Sequence, residues 1–232
     1  MKKFSIRVGE IKLYYYLEIR ERKTLGISVY PNLRVVIRAP MNTDLDLIRK
    51  KVKSKLLWIL KQQNFFLSFE PKSPPKKFIN GESHLFLGKE YKLKIIKSKK
   101  DLIKKIDNQI IVYQSGKNEV QKIMKQWYYT NARIKFYNLA MPYVRKFRKY
   151  KVEPESIEVR WMKSRWGSCT LNNRIILNPE LMKAPVGCIE YVIVHELCHL
   201  VFKNHNSDFF KLQNKEMPDW EKWKHRLEKL LA

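Results

Sequence analysis

The chain has 232 residues, 44% of them hydrophobic, and carries 48 Lys and Arg against 22 Asp and Glu for a formal charge of +26. That length and apolar content exclude a disordered chain and allow one large domain or two small ones. The charge predicts attraction to polyanions, but much of it is Lys scattered through every segment, which points to nonspecific contact with nucleic acid rather than a dedicated reader.

Three cysteines, Cys169, Cys188 and Cys198, are an odd number, and residues 1–7 lack the apolar core of a signal peptide. No apolar run reaches the length of a bilayer span. The expectation is a soluble protein of the reducing cytoplasm with no membrane partner.

Residues 5–40 read as strands. The segment 11–20 is rich in β-formers after a turn at Gly9-Glu10, 25–30 alternates, and Pro31-Asn32 turns the chain into 34–39, as in a meander or hairpin stack. Pro40 closes it. Thr43, with Asp46 three residues on, has the form of a capping box, and Leu45, Ile48, Val52, Leu56, Ile59 and Leu60 recur at helical spacing. One long helix over about 43–68 follows.

The proline-rich stretch 71–77 reads as an exposed linker. Beyond it, 84–87, 91–96 and 109–113 read as further strands, with His84 a sheet or loop histidine, and Ser115-Gly116 ends the strand-rich part. From Asn118 the period becomes helical to about Met141, where Pro142 should stop it. The stretch 145–151 is the most concentrated positive charge and the best candidate for a polyanion contact. A short strand at 157–160, a loop at 162–170 and a strand at 174–177 come next. A helix over about 185–202 follows, then one capped by Asn206 or Ser207, and a last one capped by Asp219. No internal repeat is apparent. The fold class expected is α+β: a strand-rich region 1–116 with one long helix, then a mostly helical domain 117–232 with a small sheet.

The chemistry concentrates in His195-Glu196-Leu197-Cys198-His199, followed by Asn204-His205. Residues four apart on a helix share a face, so His195 and His199 can hold one metal ion, and Glu196 stands one step round, where it can take a proton from a bound water. His205 is the candidate third ligand, with Asn204 making the reversal through the left-handed conformation that Asn tolerates. The competing reading is two surface histidines beside an ordinary Glu. Against it, the apolar residues 191–194, Leu197, Leu200 and Val201 make the helix a buried one, and three of the chain's five histidines fall within eleven positions. Cys198 is a candidate for burial rather than metal ligation.

Taken together, Arg165-Trp166-Gly167-Ser168-Cys169, Asn178-Pro179-Glu180-Leu181, the His195–Leu200 motif with Asn204-His205, and Phe209 resemble the YgjP-like family of zinc metallohydrolases, itself distantly similar to the SprT and WLM zinc proteases. The runs 22–25 and 34–40 and the patch 87–91 extend the resemblance over nearly the whole chain. The resemblance implies a zincin-like domain over 117–232, one Zn2+ ion on His195, His199 and His205, and Glu196 as general base. Phe202 departs from the longer metzincin pattern, which has glycine at that place.

The function expected is a zinc-dependent hydrolase, foremost a metallopeptidase acting through a zinc-bound water that Glu196 activates. The resemblance also implies an alternative, a nucleoside triphosphate pyrophosphatase of UTP type on the same site, and a third reading, a DNA-associated protease of SprT or WLM kind. The substrate is therefore a peptide, a protein or a nucleotide. Candidate substrate contacts are Arg165, which could polarise an oxygen, Trp166 and Ser168 of the same loop, and Arg174, at the head of the strand onto which a peptide could add. Glu180 or Glu216 could orient a ligand histidine.

Overall fold

Alternation builds the first sheet. In β2 (Ile11–Ile19) Leu13, Tyr15 and Leu17 are buried while Lys12 and Tyr14 face out, the period of two of a half-buried strand. β1 (Lys2–Val8) pairs antiparallel with it across a turn where Gly9 takes φ +58. β4 (Val35–Ala39) then runs parallel to β2, and β3 (Gly26–Val29) forms the far edge, giving the order β1-β2-β4-β3 instead of a meander. The reason lies in β4, whose Val35, Val36, Ile37 and Ala39 are all buried and suit an interior strand.

The inner face of this sheet packs on α1 (Leu45–Ser54) and α2 (Leu56–Leu67) through Ile48, Val52, Leu56 and Ile59. The single helix expected over 43–68 is therefore two. The Ser54 hydroxyl bonds back to the Lys51 carbonyl at 2.9 Å, and the Lys55 N–H is shared between the carbonyls of Lys51 and Val52 at 3.2 Å, so the ladder breaks at Lys55. Asp44 is the cap, accepting from the Asp46 N–H, while Thr43 donates to the Pro40 carbonyl.

This computed structural model describes residues 1–30, 32–67 and 75–231, which fold as two compact units, Met1–Pro74 and Pro75–Leu231. The linker expected over 71–77 lies mostly outside the described residues. The division expected near residue 116 falls instead at 74–75, because the second set of strands shares a core with the helices after it. β5 (Ser83–Phe86), β6 (Lys89–Lys97), β7 (Leu102–Ile106) and β8 (Gln109–Gln114) have the order β5-β6-β8-β7 with the central pair parallel, the same topology as the first sheet and a repeat that the sequence does not display. Phe86, Tyr91, Leu93, Ile110 and Val112 from this sheet pack with Met124, Tyr128 and Phe136 of α3 (Val120–Phe147).

α3 does not stop at Pro142. The ring removes one backbone hydrogen bond, at about 3 kcal/mol, but Ala140, Val144 and Phe147 beyond it complete a buried stripe. Burial of a Val or Phe side chain is worth ~1.5–3 kcal/mol each, enough to carry the helix through.

β9 (Ser156–Val159), β10 (Gly167–Cys169) and β11 (Arg174–Leu177) make a small sheet in the order β10-β11-β9. A 3-10 turn at Pro179–Lys183 leads into α4 (Val186–Val201), α5 (Ser207–Glu216) and α6 (Trp220–Leu231). The fold is α+β, mostly helical toward its C-terminal end. Among the described residues no helix is long and apolar enough to cross a membrane.

Candidate metal centre

Helix α4 is apolar on nearly every side, with Ile189, Val192, Ile193, Val194, Leu197 and Leu200 buried. Polar side chains on such a helix need partners. His195 and His199 stand one turn apart on one face. The helix ends at Phe202, whose backbone is extended (φ −125, ψ 113) while its N–H still reaches the Cys198 carbonyl at 2.9 Å. An extended residue needs no glycine, which accounts for phenylalanine at this place. Asn204 does not take the expected left-handed conformation; its carbonyl accepts the Asn206 N–H at 2.9 Å, and Asn206 caps α5 by accepting from Phe209 at 2.9 Å.

This return path brings His205 to the pair. The three imidazoles have ring centroids 4.6–5.0 Å apart, and their donor nitrogens lie within 4.8 Å of one another. Phe209, fully buried, lies 4.7–5.0 Å from all three rings. His195 Nδ1 bonds to Gln213 Oε1 at 2.9 Å, and His199 Nδ1 to the Phe202 carbonyl at 3.1 Å. Both acceptors fix the proton on Nδ1 and leave the Nε2 lone pair facing inward. His195 Nε2 and His205 Nε2 approach to 3.0 Å, so both face the centre of the group.

Burial first, and the neighbouring imidazoles second, hold His195 down to about 4; burial also depresses His199 and His205, so all three are neutral at pH 7. Three neutral imidazoles with converging lone pairs suit zinc, which takes three protein ligands and keeps a position open where it is catalytic. No fourth His, Cys, Asp or Glu joins the group among the described residues. Cys198 is fully buried, its thiol pushed up to about 12 by burial.

Glu196 is buried beneath β10. Burial raises its carboxyl to about 7 against the opposing pull of the Cys169 backbone N–H and the Arg165 guanidinium. β10 pairs with β11 on one side only. The Trp166 carbonyl and the Thr170 N–H point to β11, so by strand alternation the backbone groups of Gly167 and Cys169 point to the other edge, where the Cys169 N–H is taken by Glu196.

The remaining candidates divide. Arg165 is exposed but close enough for its charge to act on Glu196, and Trp166 is half-buried against the core. Ser168 lies within β10, half-buried. Arg174 is not brought to the imidazoles; it bonds to Glu158 at 3.4 Å and approaches Glu155 at 3.8 Å. β11, which it heads, is the central strand with both edges paired, so it cannot receive a peptide. Neither carboxylate expected to orient a histidine does so: Glu180 pairs with Lys183, and Glu216 with Lys146 and Lys149.

Gln213 takes that role, and sequence reasoning misses it. The signal is a polar residue on the buried stripe Phe209, Leu212, Gln213, Glu216 of α5. Asn178 is missed as well. Buried, it donates from Nδ2 to the carbonyls of Met162 and Arg165 at 2.9 Å each and so ties down the loop before β10.

Three histidines able to hold a metal, two of them on the helix that also carries a buried carboxylate, form the kind of site a metal-dependent hydrolase uses. The model of the YgjP-like family, described as a metallopeptidase domain, matches residues 23–230, and the chain belongs to that family. Among curated proteins none matches. A solved structure, the metallopeptidase zymogen of Pyrococcus abyssi abylysin, aligns at 20% identity over 41% of this chain and 94% of that one, with a TM-score of 0.37 that carries no functional conclusion.

Proposed function

We propose that this protein is a zinc-dependent metallopeptidase, with His195, His199 and His205 holding the ion and Glu196 as the general base. The observation that carries the reading is the convergence of three neutral imidazoles next to a buried carboxylate under the free edge of β10. A zinc ion there supplies a Lewis acid for the scissile carbonyl and acidifies water.

The protein's own groups do the rest. With the Cys169 N–H taken by Glu196, an extended peptide adds to β10 through the backbone groups of Gly167 and the carbonyl of Cys169, which sets its scissile bond over α4. Glu196 takes the proton from the attacking water and returns it to the leaving amine, a double task suited to a carboxyl whose pKa lies near 7. Arg165 keeps part of the population ionised at neutral pH and is the group best able to bear on a substrate oxygen. The strand edge favours a peptide over a nucleotide, because it offers a row of backbone partners and the chain has no glycine-rich phosphate loop.

Incubation of the zinc-loaded protein with casein, a nucleoside triphosphate panel and a DNA-bound protein tests this. Casein cleavage that is lost in Glu196→Gln is the expected result. Pyrophosphate release from UTP without proteolysis would replace the reading with a pyrophosphatase, and cleavage restricted to the DNA-bound protein would replace it with a DNA-associated protease.

A further inference from the structure

Among the described residues of the first unit no helix packs on the second face of its sheet. The alternation that buries Leu13, Tyr15 and Leu17 puts Lys12, Tyr14 and Tyr16 on the opposite face, where the register sets Lys3 beside Tyr16. Where β2 outruns the start of β4, a groove of about 540 Å³ opens, floored by Leu13, Val35 and Leu60. Its walls carry Lys3, Lys12 and Arg34 and no carboxylate.

These cations are arrayed on aromatic rings. The ammoniums of Lys3 and Lys12 lie 4.6 and 5.2 Å from the centroid of Tyr14, and the Arg34 guanidinium lies 3.8 Å from that of Tyr16. Tyr14 is 48% exposed, so much of its ring meets solvent. None of the three cations has a carboxylate partner among the described residues, and like charges so close repel until an anion arrives. The basic stretch 145–151 differs: Lys146 and Lys149 are tied to Glu216, and Arg148 to Glu153. On the same sheet face Glu18 is already held by Arg20 and Arg38.

We propose that this groove binds single-stranded nucleic acid, with backbone phosphates on Lys3, Lys12 and Arg34 and an unstacked base on Tyr14. The volume lies in the range of small-ligand sites, roughly 300–1,000 Å³, room for one base, with the phosphates on either side of it along the strand reaching the three cations. Tyrosine faces take any base but only an unpaired one, so a duplex is excluded. Of the groove's amide side chains, Gln63 donates to the Leu33 carbonyl at 2.8 Å and Asn32 accepts from the Arg34 N–H at 3.2 Å, which leaves few groups to read a base edge. Three phosphate contacts give a slope of log affinity against log salt of about −2.

The test is fluorescence anisotropy of a labelled oligothymidine of about a dozen nucleotides, titrated with the full-length protein at ~0.15 M salt. Tyr14→Ala and Arg34→Gln should each weaken binding roughly 10-fold, and Tyr14→Phe, which keeps the ring, should not. Thermal melts of the variants monitor the fold. Removing two exposed lysines elsewhere, Lys97→Ala with Lys99→Ala, should leave the affinity unchanged. Any of four results overturns the proposal: no binding, equal binding of a duplex, an equal loss in the Lys97/Lys99 variant, or displacement of the strand by UTP at equal concentration.

Discussion

Gly167 of β10 lies directly against Glu196 of α4: a β-carbon on Gly167 would stand 2.6 Å from Glu196 Oε1 and 2.7 Å from Val192 Cγ1. Only a residue without a side chain permits this approach, and it fixes the height of the carboxylate beneath the strand edge. The backbone of Gly167 is not in the left-handed region, so an alanine there meets a contact penalty alone. Overpacking of this kind costs about 1–3 kcal/mol. Gly167→Ala should lower kcat at least ~10-fold through a displaced general base, with zinc content unchanged. Steady-state kinetics beside metal analysis checks it, and full activity would show that the contact does not position Glu196.

Gln213 should act on the metal through His195. Replacing it with Leu removes the acceptor at His195 Nδ1 and frees the ring to rotate, so zinc affinity should fall about 10- to 100-fold. Gln213→Glu keeps an acceptor in place and should retain affinity. Competition with a chromogenic chelator measures both, and equal losses in the two variants would assign Gln213 to packing alone.

Glu216 supplies the pH dependence. Burial works to raise its carboxyl, but Lys149, Tyr150 and Lys146 hold it below the ordinary carboxylate value. A depressed acid stabilises the fold above its unfolded pKa, and that contribution is lost as pH falls through the folded value. Glu216→Gln should therefore lose about 1–2 kcal/mol at pH 7 and little at strongly acid pH. Denaturant melts across pH check this; a gap that stays constant with pH would mean that shape, not charge, matters there.

Zinc should stabilise the metal-free protein by about 2.7 kcal/mol at a hundredfold excess over Kd and so raise its melting temperature, since it binds the folded triad in preference to the open chain. His199→Ala should lose that shift. Calorimetry with and without zinc decides it, and an unaltered shift in the variant would move the ion elsewhere.

How much of this is legible in the sequence depends on the range of the interactions. His195, His199 and His205 can be grouped because their spacing is local and one helix geometry relates the first two. β10 as the free edge cannot be read, because strand order follows from pairing between distant segments, and the strand at 174–177 looks equally suited. Gln213 orients His195 across two helices, a contact that no short window contains. Pro142 and Lys55 fail in opposite directions: packing carries α3 through a proline, while Ser54 breaks a helix that its apolar period would continue. The parallel pairs β2–β4 and β6–β8 give two sheets one topology without a visible repeat.

X-ray absorption by the zinc-loaded protein tests the three-imidazole centre most directly. The prediction is a first shell of three imidazole nitrogens and one oxygen at about 2.0–2.1 Å. A sulfur scatterer at about 2.3 Å, or a fourth protein ligand closing the open position, would contradict it.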